Sequence, residues 1–184
     1  TMLKETWGEI AFLMGLSGGI WYFLEPPIYG SMGVLSGFVG IVALGVALGV
    51  RATLRQWTGR CVTAIVLGLG FLALSLAVAF FADYVVDCLN LVFDFEIGVS
   101  QTREIIRGTE YQPWIEPKEK KTDQNLLSDA EGRDGRSLIW TRDSIIESER
   151  RLARGYVRTA LATLLGAIFF LEVLRIGVAN RNRV

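Results

Sequence analysis

Apolar residues along this chain gather into four long stretches, separated by three polar intervals of very unequal length. The stretches cover residues 10–24, 29–50, 61–86 and 157–179. A bilayer core about 30 Å thick is crossed by about 20 mostly apolar helical residues. The last three stretches meet that length, and the first reaches it when Trp7, Gly8 and Glu9 are counted in. The pattern predicts an all-α membrane protein with four transmembrane helices in an antiparallel bundle. A large hydrophilic, partly helical loop joins helices 3 and 4. The chain then divides into three parts: residues 1–86 with three helices, the hydrophilic region 87–156, and residues 157–184 with the fourth helix and a short tail.

Local signals sharpen this outline. Trp7 opens the first stretch and Trp21, Tyr22 and Phe23 close it, as aromatic rings favour the headgroup boundary. Glu25-Pro26-Pro27 stops that helix, because proline lacks a backbone donor and restricts the residue before it. The first apolar run is read as a retained helix, since Gly15, Gly18 and Gly19 form no clear cleavage pattern. The second stretch carries Gly30, Gly33, Gly37 and Gly40 at spacings of three and four, followed by Gly45 and Gly49. Small residues at this spacing let helices approach closely where lipid offers little hydrophobic drive. These six glycines are therefore candidates for helix packing, within the chain or in self-association. The third stretch has its own small pairs, Ala64 with Gly68, Ala73 with Ala77 and Ser75 with Ala79.

The third helix is expected to continue past Asp83 and Asp87, as far as Phe95. Its apolar sequel (Leu89, Leu91, Val92, Phe93, Phe95, Ile97) suits a helix lying on the membrane or against the bundle. Residues 111–136 have loop composition. A new helix is predicted from Thr141 or Asp143, either of which is a favourable N-cap, and no proline interrupts the path from there into the fourth stretch.

Charge changes the picture by its placement. Nineteen basic and nineteen acidic residues balance. Fourteen acids and eleven bases fall within 87–156, leaving that region at a formal −3. No concentrated basic face is present, which argues against a nucleic-acid partner. Basic residues near the stretches favour both termini on the cytoplasmic-equivalent side and the large loop opposite, although Arg150, Arg151 and Arg154 pull the other way.

Candidate chemistry is sparse. The chain has no histidine, so the commonest metal ligand and acid–base group is missing and haem b cannot be held by histidines. Cys61 and Cys88 flank the third stretch at the ends of about 40 Å of helix, too far apart to bridge. No phosphate-binding loop, nucleophile elbow, dinucleotide fingerprint or metal-ligand cluster is visible. No cofactor is expected, and bound lipid or pigment stays open.

The sharpest candidate is Glu172, an acid within the fourth stretch, with Arg175 three residues on. An intramembrane acid calls for a partner or a function. A local ion pair is the simpler reading and a proton or ion site, aided by Asp83, is the alternative. Trp114, Trp140, Arg150, Arg151 and Arg154 are candidates for docking a partner.

A short first loop, a short second loop and a large third loop resemble the layout of the tetraspanins. The Cys-Cys-Gly motif of that family is absent and Cys88 is the one cysteine in the large loop, so the resemblance carries layout and no function. The sequence thus predicts a non-catalytic membrane subunit or scaffold. It would contact membrane lipids and other membrane subunits or its own copies, with residues 87–156 as docking surface. A small transporter or channel subunit using Glu172 is the second expectation.

Overall fold

A computed structural model describes residues 39–43, 45–50, 60–97, 101–115, 123–129 and 135–181. They are mostly helical. Helix α1 covers residues 39–43 and 45–50, α2 covers Arg60–Leu91, and the hairpin strands β1 (Val92–Ile97) and β2 (Gln101–Ile106) follow. Two short helices, α3 (Asp123–Asp129) and α4 (Arg136–Ile139), precede the 40-residue α5 (Arg142–Arg181). Two of these helices, over Cys61–Leu91 and Arg142–Gly177, are long and apolar enough to span a membrane. The expected first span lies outside the described residues, as does half of the second, including Gly30, Gly33 and Gly37.

Sequence explains the two long helices. Between Arg60 and Asp83 no residue is charged, and α2 contains no proline. Gly68 and Gly70 weaken intrinsic helix propensity by about 1 kcal/mol each relative to alanine. In an apolar medium that penalty is outweighed, because only a helix satisfies every backbone group within its own segment. Helix α5 starts as predicted: the Ser144 N–H donates to Thr141 Oγ1 at 3.4 Å, an N-cap bond, and no proline interrupts it over 40 residues.

The described chain forms two compact units, one comprising residues 39–50, 60–82 and 156–181 and the other within 83–155. In the first, Val39 and Ala43 of α1 pack against Ala160, Leu164 and Ile168 of α5. Both sets repeat every four residues, so one ridge of each helix meets the other. The α2–α5 contact is closer. A Cβ on Gly166 would meet Leu74 Cδ2 at 2.7 Å, and one on Gly70 would meet Phe169 and Phe170 at 3.3 Å. Phe71 and Phe170 pack edge to face, centroids 5.3 Å apart. Ala73 and Ala77 are buried, as the small-pair reading expects of them. Gly68, Gly40, Gly45 and Gly49 differ: a Cβ on any of them would meet nothing within 4 Å.

The second unit corrects the all-α expectation. Helix α2 ends at Leu91, and residues 92–97 pair antiparallel with 101–106, Val92 opposite Ile106 through Ile97 opposite Gln101. The reason lies in the sequence Val-Phe-Asp-Phe-Glu-Ile, where polar and apolar positions alternate with the period of a strand, and in Gly98 just beyond it. The Arg107 N–H donates to the Leu91 carbonyl at 2.9 Å, closing the base of the hairpin. Ile105, Leu127, Ile139, Trp140 and Ile145 form the unit's core, with Ile115 and Leu126 against it.

Candidate functional site

The sequence-predicted residues separate into three groups. Glu172 is largely covered, at 12% side-chain exposure, and Arg175 Nη1 lies 3.7 Å from its Oε2 while remaining 41% exposed. This is the local pairing expected from their spacing. Asp83 is exposed. Among the described residues, a Cβ on Gly40, Gly45 or Gly49 of α1 would meet no neighbour, and the packing of α1 on α5 runs through Val39, Ala43 and Ala47.

The docking candidates divide sharply. Trp114 is 67% exposed and Arg150 is exposed without an ion pair among the described residues. Arg154 pairs with Glu147, and Arg151 reaches Asp87 at 2.7 Å. Trp140 is 1% exposed, which overturns its assignment as a docking residue. It sits at the centre of the core because the chain on either side is tied down. The Gln112 N–H donates to the Ile139 carbonyl at 2.8 Å and the Thr141 N–H donates to the Glu110 carbonyl at 2.9 Å. The Gln112 side chain adds a bond to the Trp140 carbonyl at 3.2 Å. Gly108 makes room for the indole: a Cβ there would lie 2.6 Å from Trp140 Cβ and would also strike Ser144 Oγ.

Around this anchor the second unit forms a cleft of about 430 Å³. Asp87, Asn90 and Leu91 at the end of α2 make one wall, residues 107–109 and Tyr111 a second, and Asp123, Trp140 and Arg151 complete it. None of these residues was picked out in the sequence as a group. Arg107 Nη1 is 3.2 Å from Asp123 Oδ2, and the Tyr111 hydroxyl donates to Asp123 Oδ1 at 2.7 Å. That bond, together with burial and the Asp123 charge, pushes the Tyr111 phenol above its ordinary range. Tyr111 stacks on Trp140, centroids 6.4 Å apart. Asp87 with Arg151 forms the second acid–base pair of the cleft.

Both pairs share an asymmetry. The carboxylates are covered, Asp123 at 18% and Asp87 at 14%, while Arg107 and Arg151 are 42% and 60% exposed. Each acid is thus the covered member of its pair and the arginine the exposed one. No group of three or more metal-ligating side chains occurs among the described residues. No protein-family model matches the sequence, and no curated protein or solved structure matches it either.

Proposed function

We propose that this chain is a non-catalytic integral membrane subunit, a scaffold within a larger assembly that uses the 87–156 region as its docking surface. The observation that carries the reading is where the apolar surface lies. Within the most apolar windows of α2 and α5, 22% and 28% of residues are buried, and Ile65, Phe71, Leu72 and Val78 of α2 are all more than half exposed. A core helix of a water-soluble protein is buried along such a window. Surface of this kind suits lipid or neighbouring membrane helices. The 83–155 unit supports a docking role in a different way, because it has its own core and presents Trp114 and Leu138 at 67% and 57% exposure. Four spans, both termini on the cytoplasmic-equivalent side and the polar region opposite complete the proposed topology.

The test is purification in mild detergent with Glu172 as the discriminating residue. The expected result is a discrete complex larger than the monomer that Trp114→Ala with Leu138→Ala disperses while the chain stays membrane-inserted. Glu172→Gln should retain or weaken the complex. Replacing Glu172 and Arg175 together by apolar residues should restore it, because stranding one member of a covered pair costs more than removing both. An ion- or pH-dependent flux in reconstituted vesicles that vanishes in an assembled Glu172→Gln protein would replace the scaffold with a transporter.

A further inference from the structure

We infer that the cleft of the second unit is a phosphate-binding site, with Arg107 and Arg151 as its recognition groups. A guanidinium carries five N–H donors in a planar fork. Arg107 spends Nη1 on Asp123 and Arg151 spends Nη2 on Asp87, and among the described residues the other nitrogens of both have no partner. Both arginines are far more exposed than the acids they pair with, at 42% and 60% against 18% and 14%. Each carboxylate is at least four-fifths covered, so the exposed part of each pair is mostly arginine. The acids orient the forks, so little side-chain freedom remains to be lost on binding.

The ligand class follows from the number of donors. One fork saturates the two oxygens of a carboxylate, whereas two forks offer more donors than a carboxylate can accept. A phosphate group, with more oxygens and a second negative charge, matches them. Asn90 and Thr109 line the same space and add neutral donors. A volume of about 430 Å³ exceeds what bare phosphate needs and fits a phosphate carried on a small organic body, for which the exposed Tyr111 ring offers a face. A cation is the poorer occupant, because both carboxylates that line the cleft are mostly covered and already paired with an arginine. This inference does not depend on the scaffold reading. The phosphate belongs either to a soluble molecule or to a lipid headgroup, and the two are separable by experiment.

The experiment uses the full chain in phosphatidylcholine nanodiscs, titrated calorimetrically with inorganic phosphate and with glycerol phosphate. A parallel arm uses discs containing phosphatidylglycerol, with retained lipid counted by native mass spectrometry. Saturable binding of the soluble probes that Arg107→Ala and Arg151→Ala each weaken at least tenfold places a soluble phosphate in the cleft. Retention of phosphatidylglycerol that both variants abolish, with no soluble binding, places a headgroup there. The near-ultraviolet dichroism of the full chain, to which the buried Trp140 contributes, checks that the variants fold. Should Arg107→Ala fail that check, Arg107→Lys, which keeps the charge and loses the fork, should still weaken binding severalfold. Absence of binding in both arms, or equal binding by variants and parent, would each overturn the assignment.

Discussion

Gly166 and Gly108 both sit where a methyl group does not fit, yet they serve regions that hold together by different means. Gly166 of α5 meets the aliphatic Leu74 of α2, in a helix pair whose backbone groups are satisfied within each helix. Contact there is a matter of shape, with the Phe71–Phe170 edge-to-face pair beside it. Gly108 meets the indole of Trp140 in a region where chain segments about 30 residues apart exchange hydrogen bonds. The Thr141 N–H donates to the carbonyl of Glu110, and the Ser144 hydroxyl lies 2.9 Å from the Thr141 carbonyl and 3.3 Å from that of Glu110. The first region fails by a poor fit. The second can also fail by leaving buried polar groups without partners, which costs roughly 1–3 kcal/mol per group.

The largest effect that would break this comparison is expected at Trp140. Trp140→Ala removes a side chain 1% exposed at the centre of the 83–155 core and should cost about 4 kcal/mol. Trp114→Ala, at 67% exposure, should change stability by less than about 0.5 kcal/mol. Urea unfolding in detergent, with limited proteolysis within 107–141, separates the two. The Trp140 variant should become cleavable there while α2 and α5 keep most of their helical signal. Equal sensitivity of both variants would mean that Trp140 is not the anchor.

A smaller effect is expected in the helical region. Gly166→Ala forces a Cβ to within 2.9 Å of Leu74 Cγ, so Leu74 must shift, at a cost of about 1–2 kcal/mol in thermal stability. Gly45→Ala meets nothing within 4 Å and should be neutral or slightly stabilising, since alanine is the better helix former. The pair of melting temperatures sharpens the comparison. If Gly45→Ala were as damaging as Gly166→Ala, the glycine face of α1 would be a contact face after all, and self-association over it would be the first thing to measure.

The same division decides what the sequence made legible. Apolar length identified α2 and the later part of α5, and the cap candidates Thr141 and Asp143 placed the start of α5 to within two residues, because these are local properties of consecutive residues. The hairpin escaped because residues 92–97 are apolar enough to read as more helix, and six residues give the strand alternation little room to declare itself. The core position of Trp140 and the acid–arginine cleft escaped for another reason. Arg151 finds Asp87 across 64 positions and Arg107 finds Asp123 across 16, and no spacing rule links residues brought together by a fold. The Glu172–Arg175 pair, three apart on one helix, is the counter-example that obeys such a rule.

The smallest expected effect concerns Tyr111, which ties the cleft to the core. Its phenol is raised above the ordinary value of 10.0, first by the hydrogen bond donated to Asp123 and then by burial. Below pH 10 the phenol is protonated in folded and unfolded chains alike, so the bond contributes fully. As pH rises past 10 the unfolded chain releases its proton first, and the contribution is lost as pH climbs through the higher folded value. Tyr111 is 46% exposed, so solvent screens the interaction and the loss should stay below about 1 kcal/mol. Ultraviolet absorbance titration should show a late-ionising tyrosine that is lost in Tyr111→Phe, and the alkaline loss of stability should flatten in the same variant. A Tyr111→Phe protein with an unchanged titration and an unchanged alkaline transition would detach the cleft from the Trp140 anchor, leaving the core of the second unit to be held by its aliphatic contacts and backbone bonds alone.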